Sequence, residues 1–377
     1  MTTATASPTV AHLTPSDYEE IARELDALRE EIFADLGERD AAYIRRVIRW
    51  QRGLEITGRA LLMASSLPPA WVAGTLTLAV AKILENMEIG HNVMHGQWDW
   101  MRDPKIHSTT WEWDNVSPAD QWKHSHNVVH HTNTNILGKD NDVGYGLLRV
   151  SAEQPWHPAM LPQPLYNLLL AMFFEYGVAV HDLEIDKILA KKNDPEVTRA
   201  KLRAIGRKIR RQWTKDYLAF PLLSGPQFGT TLAANLTANV LRNVWAHMVI
   251  FCGHFPGDVE VFTKDRLNEE TRGQWYVRQL LGSANISGGP LLHLMTGNLS
   301  HQIEHHLFPD MPSNRYAEIA PRIRDLCERY GLPYHTGPLA RQVGSTWKKI
   351  IRYAFPGPRP SAPPQPRTPT AKEPAAA

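Results

Sequence analysis

The run His124–Ser125–His126–Asn127–Val128–Val129–His130–His131 decides how the chain is read. Two further clusters resemble it in density: His91–Asn92–Val93–Met94–His95 and His301–Gln302–Ile303–Glu304–His305–His306. On an α-helix, residues four apart lie about one turn apart on one face. His91 with His95, His126 with His130, and His301 with His305 all have that spacing, and each His-His pair widens the ligand face. Neutral imidazole is the commonest nitrogen ligand for zinc, copper, iron and nickel. The three clusters hold more histidines than the four ligands of one tetrahedral zinc, so two metals are the better reading. One such pair alone is common on helix surfaces, and solitary histidines such as His12, His107, His157 and His335 read as structural.

The stretches HNVMH, HSHNVVHHTNTN and HQIEHHLFPDMP resemble the three histidine boxes of the membrane-bound fatty acid desaturases, and QIEHHLFP is nearly diagnostic. Between about Arg39 and Arg352 the chain is similar to the bacterial acyl-CoA or acyl-lipid delta-9 desaturases. That resemblance implies an all-α integral membrane protein with four transmembrane helices in two hairpins and a cytoplasmic helical cap. It also implies a non-haem di-iron centre that uses O2 and two electrons to insert a cis double bond into an acyl chain. The family pattern carries over to His91, His95, His126, His130, His131, His305 and His306, with His301 joining them at helical spacing. Gln302, with two residues between it and the pair, fills the place where the family generally has His or Gln, and His124 is a competing ligand in the second box. Asn243 and His247 resemble a further ligand element after the last span. His247 is favoured there over His254, because Phe255–Pro256–Gly257 should end the helix and leave His254 poorly directed. His181 and His293 read as core histidines. Acidic residues that could orient ligand imidazoles are Glu88, Asp140, Asp142 and Glu304.

The rest of the chain fits one membrane-embedded unit (39–352) between an N-terminal polar segment with a helix (1–38) and a disordered Pro/Ala-rich tail (353–377). Thr14 and Pro15 form a helix start, and Ile21, Leu25, Leu28, Ile32 and Leu36 form one apolar stripe. Residues up to about Leu13 read as a disordered lead. A membrane helix needs about 20 residues, which places spans at about 50–67, 70–89, 216–233 and 235–253, with turns at Pro68–Pro69 and near Ala233–Asn235. Small residues Gly225, Gly229, Ala233, Ala234 and Ala238 would let the second pair pack closely. The segment 165–180 reads as a buried or interfacial helix. Arginines 45, 46, 49, 52 and 59 and the basic block 187–215 flank the hairpins, so both termini and the boxes are expected on the cytoplasmic side. The basic block could also meet a phosphate-bearing headgroup, anionic lipid or an acidic redox partner.

Formal net charge is only +2, which gives nucleic acid no general footprint. A mean hydropathy of −0.35 confines spans to a minority of the chain. Cys252 and Cys327 form neither a disulfide framework nor a Cys-based zinc motif. The first dozen residues lack the basic start and apolar core of a secretory signal. With no flavin or nicotinamide fingerprint and no His-Pro-Gly-Gly haem segment, electrons are expected from an external ferredoxin or reductase using NAD(P)H. Rival readings are a di-iron hydroxylase of alkyl or isoprenoid substrates and, in another class, a non-catalytic zinc-binding or transport membrane protein.

Overall fold

A computed structural model describes residues 8–257, 259–264 and 270–357. The polar start 1–7 and the tail from 358 lie outside the described residues. Within the lead, Val10 is buried and His12 Nε2 lies 2.8 Å from the Tyr330 carbonyl, so ordered structure begins before Leu13.

Helix α1 (Pro15–Ala34) begins as its sequence requires: Thr14 Oγ1 accepts from the Asp17 N–H, and Asp17 Oδ2 accepts from the Thr14 N–H. Ile21, Leu25, Leu28 and Ile32 are buried in a cluster with Tyr276, Leu280, Ile319 and Ile323. Full burial of each such side chain contributes about 1.5–3 kcal/mol, which is what seats this helix on the cap.

Helices α2 (Glu38–Leu62) and α3 (Pro68–Leu84) form the first hairpin. Their contact depends on Gly58 and Gly74. A Cβ on Gly58 would stand 2.9 Å from the Leu78 backbone nitrogen, and one on Gly74 2.9 Å from the Leu62 side chain. From α3 the chain continues without a break through a π-helical turn, Glu85–His91, into Asn92–Met94. After a tryptophan-rich loop comes α4 (Ala119–Lys123), which continues through a second π-helical segment, His124–His130, into His131–Asn133.

The apolar segment after the loop divides into α5 (Gln163–Met172) and α6 (Phe174–His181), separated by the non-helical backbone of Phe173. Helix α7 (Pro195–Trp213) runs on through Thr214–Ala219 and Phe220–Leu223. A turn at Gly225–Gln227 then leads into α8 (Phe228–His254), which is unbroken through Ala233–Asn235. The expected turn at 233–235 is therefore corrected, and with it the arms 216–233 and 235–253. Gly225 adopts φ +58, the left-handed conformation that glycine tolerates. The polarity of Asn235 serves a buried contact instead: its amide donates to the Asp216 carbonyl at 2.5 Å and its oxygen accepts from Arg59 at 3.0 Å. Ala234 and Ala238 do pack closely, against Leu62, Leu78 and Ala79, whereas Gly229 and Ala233 are exposed.

The cap is completed by α9 (Arg272–Leu281), α10 (Gln302–Leu307), α11 (Tyr316–Arg329) and α12 (Leu339–Ala354). Strands β1 (Asn285–Ser287) and β2 (Thr336–Pro338) pair in parallel, a small exception to the expected all-α fold.

No helix among the described residues is long and apolar enough to cross a membrane, so the four expected spans are not shown. Polarity is nonetheless divided between the faces of these helices. Asp216 bridges Arg59 at 2.7 Å and Lys82 at 2.7 Å, and Arg242 meets Glu175 at 2.6 Å, all buried between helices. Trp50, Ile56, Leu67, Val72, Leu76, Leu222, Leu223 and Leu236 point outward from the same hairpins. Averaging along the sequence mixes the two faces and lowers the mean.

Candidate metal centre

Each histidine box contains or adjoins a stretch where the helix departs from α geometry. His91 closes one π-helical turn, and His124–His130 is itself π-helical. A π turn bonds i to i+5 and rotates the residues that follow relative to an α-helix. The third box is not one helix: His301 ends a 3₁₀ turn with φ −104 and ψ 57, and α10 begins at Gln302. The i, i+4 argument for His301 with His305 therefore fails. His301 turns away to face His293, ring centroids 4.6 Å apart.

The boxes converge. Ligand-capable nitrogens of His91, His95, His126 and His305 lie within 4.8 Å of one another, and so do those of His130, His254 and His306. His126, His130 and Asp142 form an overlapping third group. His131 stands between the first two: it stacks on His306 at 4.4 Å and meets His95 at 4.7 Å and His305 at 4.9 Å. Nε2 of His95, His126, His130 and His305 and both nitrogens of His131 are buried with no hydrogen-bond partner. Buried polar atoms rarely go unpaired. So many orphaned imidazole nitrogens aimed at common points suit metal cations.

Several imidazoles are oriented from behind. His130 Nδ1 lies 3.0 Å from Asp140, whose carboxylate also accepts from the Asn135 and Asp142 N–H groups at 2.8 and 2.9 Å. His305 Nδ1 meets the Tyr316 hydroxyl at 3.1 Å, His306 Nδ1 the Gln279 Oε1 at 3.2 Å, and His91 Nδ1 the Asn92 Oδ1 at 2.9 Å. Of these partners only Asp140 stands out in the sequence; Asn92, Gln279 and Tyr316 carry no motif. Asp142 Oδ2 is 3.6 Å from both His126 and His130. Glu88 and Glu304, the other acidic candidates, face elsewhere. Glu88 accepts from Tyr43, Ser313 and Asn298, and Glu304 from Tyr334 and Asn285.

Burial, followed by the nearby imidazoles, holds His95, His126, His131, His305 and His306 well below the ordinary histidine range. Burial alone takes most of the effect at His91, to about 4, and at His254, to about 3. These rings are neutral at physiological pH, the state a ligand needs. At His130 burial also opposes the charge, but Asp140 and Asp142 outweigh it and raise the group to about 9. That local negative charge favours a cation at the Nε2 side.

The structure places His254, and not His247, beside His130 and His306. His247 Nε2 lies 3.0 Å from Asn167 Oδ1 and its ring stacks on Phe251 at 3.9 Å, outside every ligand group. Seven residues along a helix return to nearly the same face, about 10.5 Å further on. Depth therefore separates the two rather than direction, and α8 reaches the cluster only at its last residue. Asn243 is taken up by helix packing, donating to the Met172 carbonyl at 3.0 Å. His124 lies on the outer face, its Nδ1 2.6 Å from Asp182. Gln302 touches the second group through His254, Nε2 to Nε2 at 3.0 Å. His181 contacts Asp142 at 3.2 Å.

Against the first group opens a mostly apolar cavity, whose lining includes His91, Trp113, Trp122, Tyr145, Phe174 and Ile250. With this geometry in view, residues 66–338 match the family model described as fatty acid desaturase. The chain belongs to the fatty acid desaturase family. This desaturase is 54% identical over 350 residues to the "NADPH-dependent stearoyl-CoA 9-desaturase" of two Mycobacterium tuberculosis strains, covering 92% of the chain and 82% of the relative. It is 25% identical over 285 residues to the "sn-1 linoleoyl-lipid 6-desaturase" of a Synechocystis strain, covering 74% of the chain and 79% of that relative. The desaturase is an oxidoreductase of lipid metabolism, and its histidine groups suit a metal centre of two ions.

Proposed function

We propose that the protein inserts a cis Δ9 double bond into a saturated acyl chain carried on coenzyme A, stearoyl-CoA above all, using O2 and electrons that originate from NADPH. The observation that carries this reading is the convergence of buried imidazole nitrogens, several of them without a partner, in two adjoining groups, the first of them beside an apolar cavity. The mycobacterial relatives, named for the same substrate and reductant, support it.

His91, His95, His126 and His305 would hold one iron, and His130, His254 and His306 the other, with His131 between them. When bound, the iron pair supplies O2 reduction and hydrogen abstraction from an unactivated methylene. The chain's own residues do the rest. Asp140, Tyr316, Gln279 and Asn92 fix ring orientation, as outer partners of metal-bound histidines do. Trp113, Trp122 and Phe174 present an apolar wall that holds one carbon pair near the first group and excludes water. Two hydrogen atoms leave the substrate, and with two electrons and two protons from outside both oxygen atoms leave as water.

The outward apolar side chains and inward ion pairs of α2, α3 and α8 support embedding in a bilayer, since charged groups within membrane segments face the bundle interior. With the basic flanks on the cytoplasmic side, both termini and the metal centre would face the cytoplasm.

The test is expression in a host of known lipid composition, with mass analysis that locates any new double bond and metal analysis of the purified protein. A Δ9 monounsaturated product and two irons per chain are expected. A product heavier by one oxygen would assign a hydroxylase instead, and zinc without iron would exclude the redox reading.

A further inference from the structure

Helix α7 carries arginines 199, 203, 207, 210 and 211 on one exposed face. Among the described residues, none of them has a carboxylate partner. Several other surface arginines are paired: Arg29 with Asp310, Arg39 with Asp35, Arg272 with Asp26, Arg322 with Glu31 and Arg329 with Glu24; Arg46, Arg49 and Arg52 on α2 are exposed and, like those of α7, bridge no carboxylate among the described residues. Arg203, Arg207 and Arg210 line an open groove across Gly206.

Helix α7 runs without a break into Thr214–Leu223, and Trp213, Leu218, Leu222 and Leu223 are exposed. Val197 and Leu202 are exposed on α7 as well. At 1.5 Å per residue, the arginines extend over about 18 Å of the axis, from Arg199 to Arg211, long enough to meet the acidic face of a protein. What lies behind the helix favours a redox protein over a lipid headgroup.

The opposite face of α7 leads to the metal centre. Lys208 donates to the Trp113 carbonyl at 2.8 Å, and the Gln121 amide donates to the Lys201 carbonyl at 3.1 Å. Trp113 packs on Trp122 with ring centroids 5.3 Å apart, and Trp122 stacks on His126 at 4.5 Å and 21°. A protein seated on the arginines is thus one helix, about 10 Å across, from an aromatic pair that ends on a histidine of the first group. The reaction proposed above needs two electrons per double bond from outside the chain.

We propose that the arginine face of α7 is the docking surface for the acidic face of a one-electron carrier protein, which binds twice per turnover, and that Trp113 and Trp122 lie on the electron's route. This rests on the desaturase reading for its redox role but not for the binding itself. The test uses the full chain in phosphatidylcholine nanodiscs and an acidic plant-type [2Fe–2S] ferredoxin as the probe. In R203E/R207E the ferredoxin Kd should rise roughly tenfold and lose most of its salt dependence, since a change of four charge units removes the steering field. R203Q/R207Q should fall between. In ferredoxin-driven turnover the KM for ferredoxin should rise while the KM for stearoyl-CoA stays unchanged. Equal Kd values in wild type and variants, or no binding to the wild type, overturn the proposal. So does a rise in the stearoyl-CoA KM alone, which would assign the face to coenzyme A phosphates. Binding lost in the variants of a protein that forms no double bond would keep the surface and refute the desaturase reading.

Discussion

Replacing Asp140 with Asn is the most informative perturbation of the metal centre, because it changes one atom and keeps the shape. Asp140 accepts from three directions: His130 Nδ1 at 3.0 Å, the Asn135 N–H at 2.8 Å and the Asp142 N–H at 2.9 Å. An asparagine has one acceptor oxygen, so its amide NH2 must face at least one of these N–H donors. A buried donor left unsatisfied costs about 1–3 kcal/mol. The substitution also removes the first of the charges that raise His130, so the imidazole loses basicity as a ligand. Loss of such an outer partner lowers metal affinity or activity about 10–100-fold, or about 1.4–2.7 kcal/mol at 1.36 kcal/mol per tenfold. Metal titration of the apoprotein with Fe(II), read by absorbance and by mass spectrometry of bound metal, should show one of two ions weakened by that factor. D140A should be worse, having no acceptor at all. If D140N binds both ions as tightly as the wild type, the assignment of His130 as a ligand oriented by Asp140 is refuted.

H254A should reduce bound iron from two ions toward one, whereas H247A should keep both and lose only the packing and hydrogen bond to Asn167; metal stoichiometry separates the two. D216A should be destabilising, by about 3 kcal/mol, because it removes the nearest carboxylate from buried Arg59 and Lys82 and leaves them only Glu55 at 3.5 Å and Asp114 at 3.1 Å; the thermal midpoint in detergent reads the loss. The carboxyls of Glu24 and Glu31 are lowered mainly by hydrogen bonds from Arg329 and Arg322. Their contribution is full above the unfolded carboxyl value and disappears as pH falls through the lower folded one. Hydrogen exchange along α1 should therefore accelerate in acid, earlier than in α8, and R322Q/R329Q should remove that difference.

The boxes themselves were legible because ligation demands residue types that composition rarely concentrates. The helix start at Thr14 and the stripe from Ile21 to Ile32 are legible because capping and periodicity act over a few residues; Pro68 and Pro69, expected in the turn, instead open α3, and the turn lies just ahead of them at 63–67. Sequence alone could not place the second hairpin's turn, because Asn235 looks like a turn residue until Arg59 and Asp216 are beside it. Nor could it choose His254 over His247: both point the same way on α8, and only the packed helix shows which depth meets His130 and His306. His301 was misread because spacing implies a continuous helix, and the backbone breaks at that residue. The partners Tyr316, Gln279 and Asn92 had no local signal at all. Their role exists only where distant segments meet, since a hydrogen bond to an imidazole depends on position in space and leaves no period in the chain.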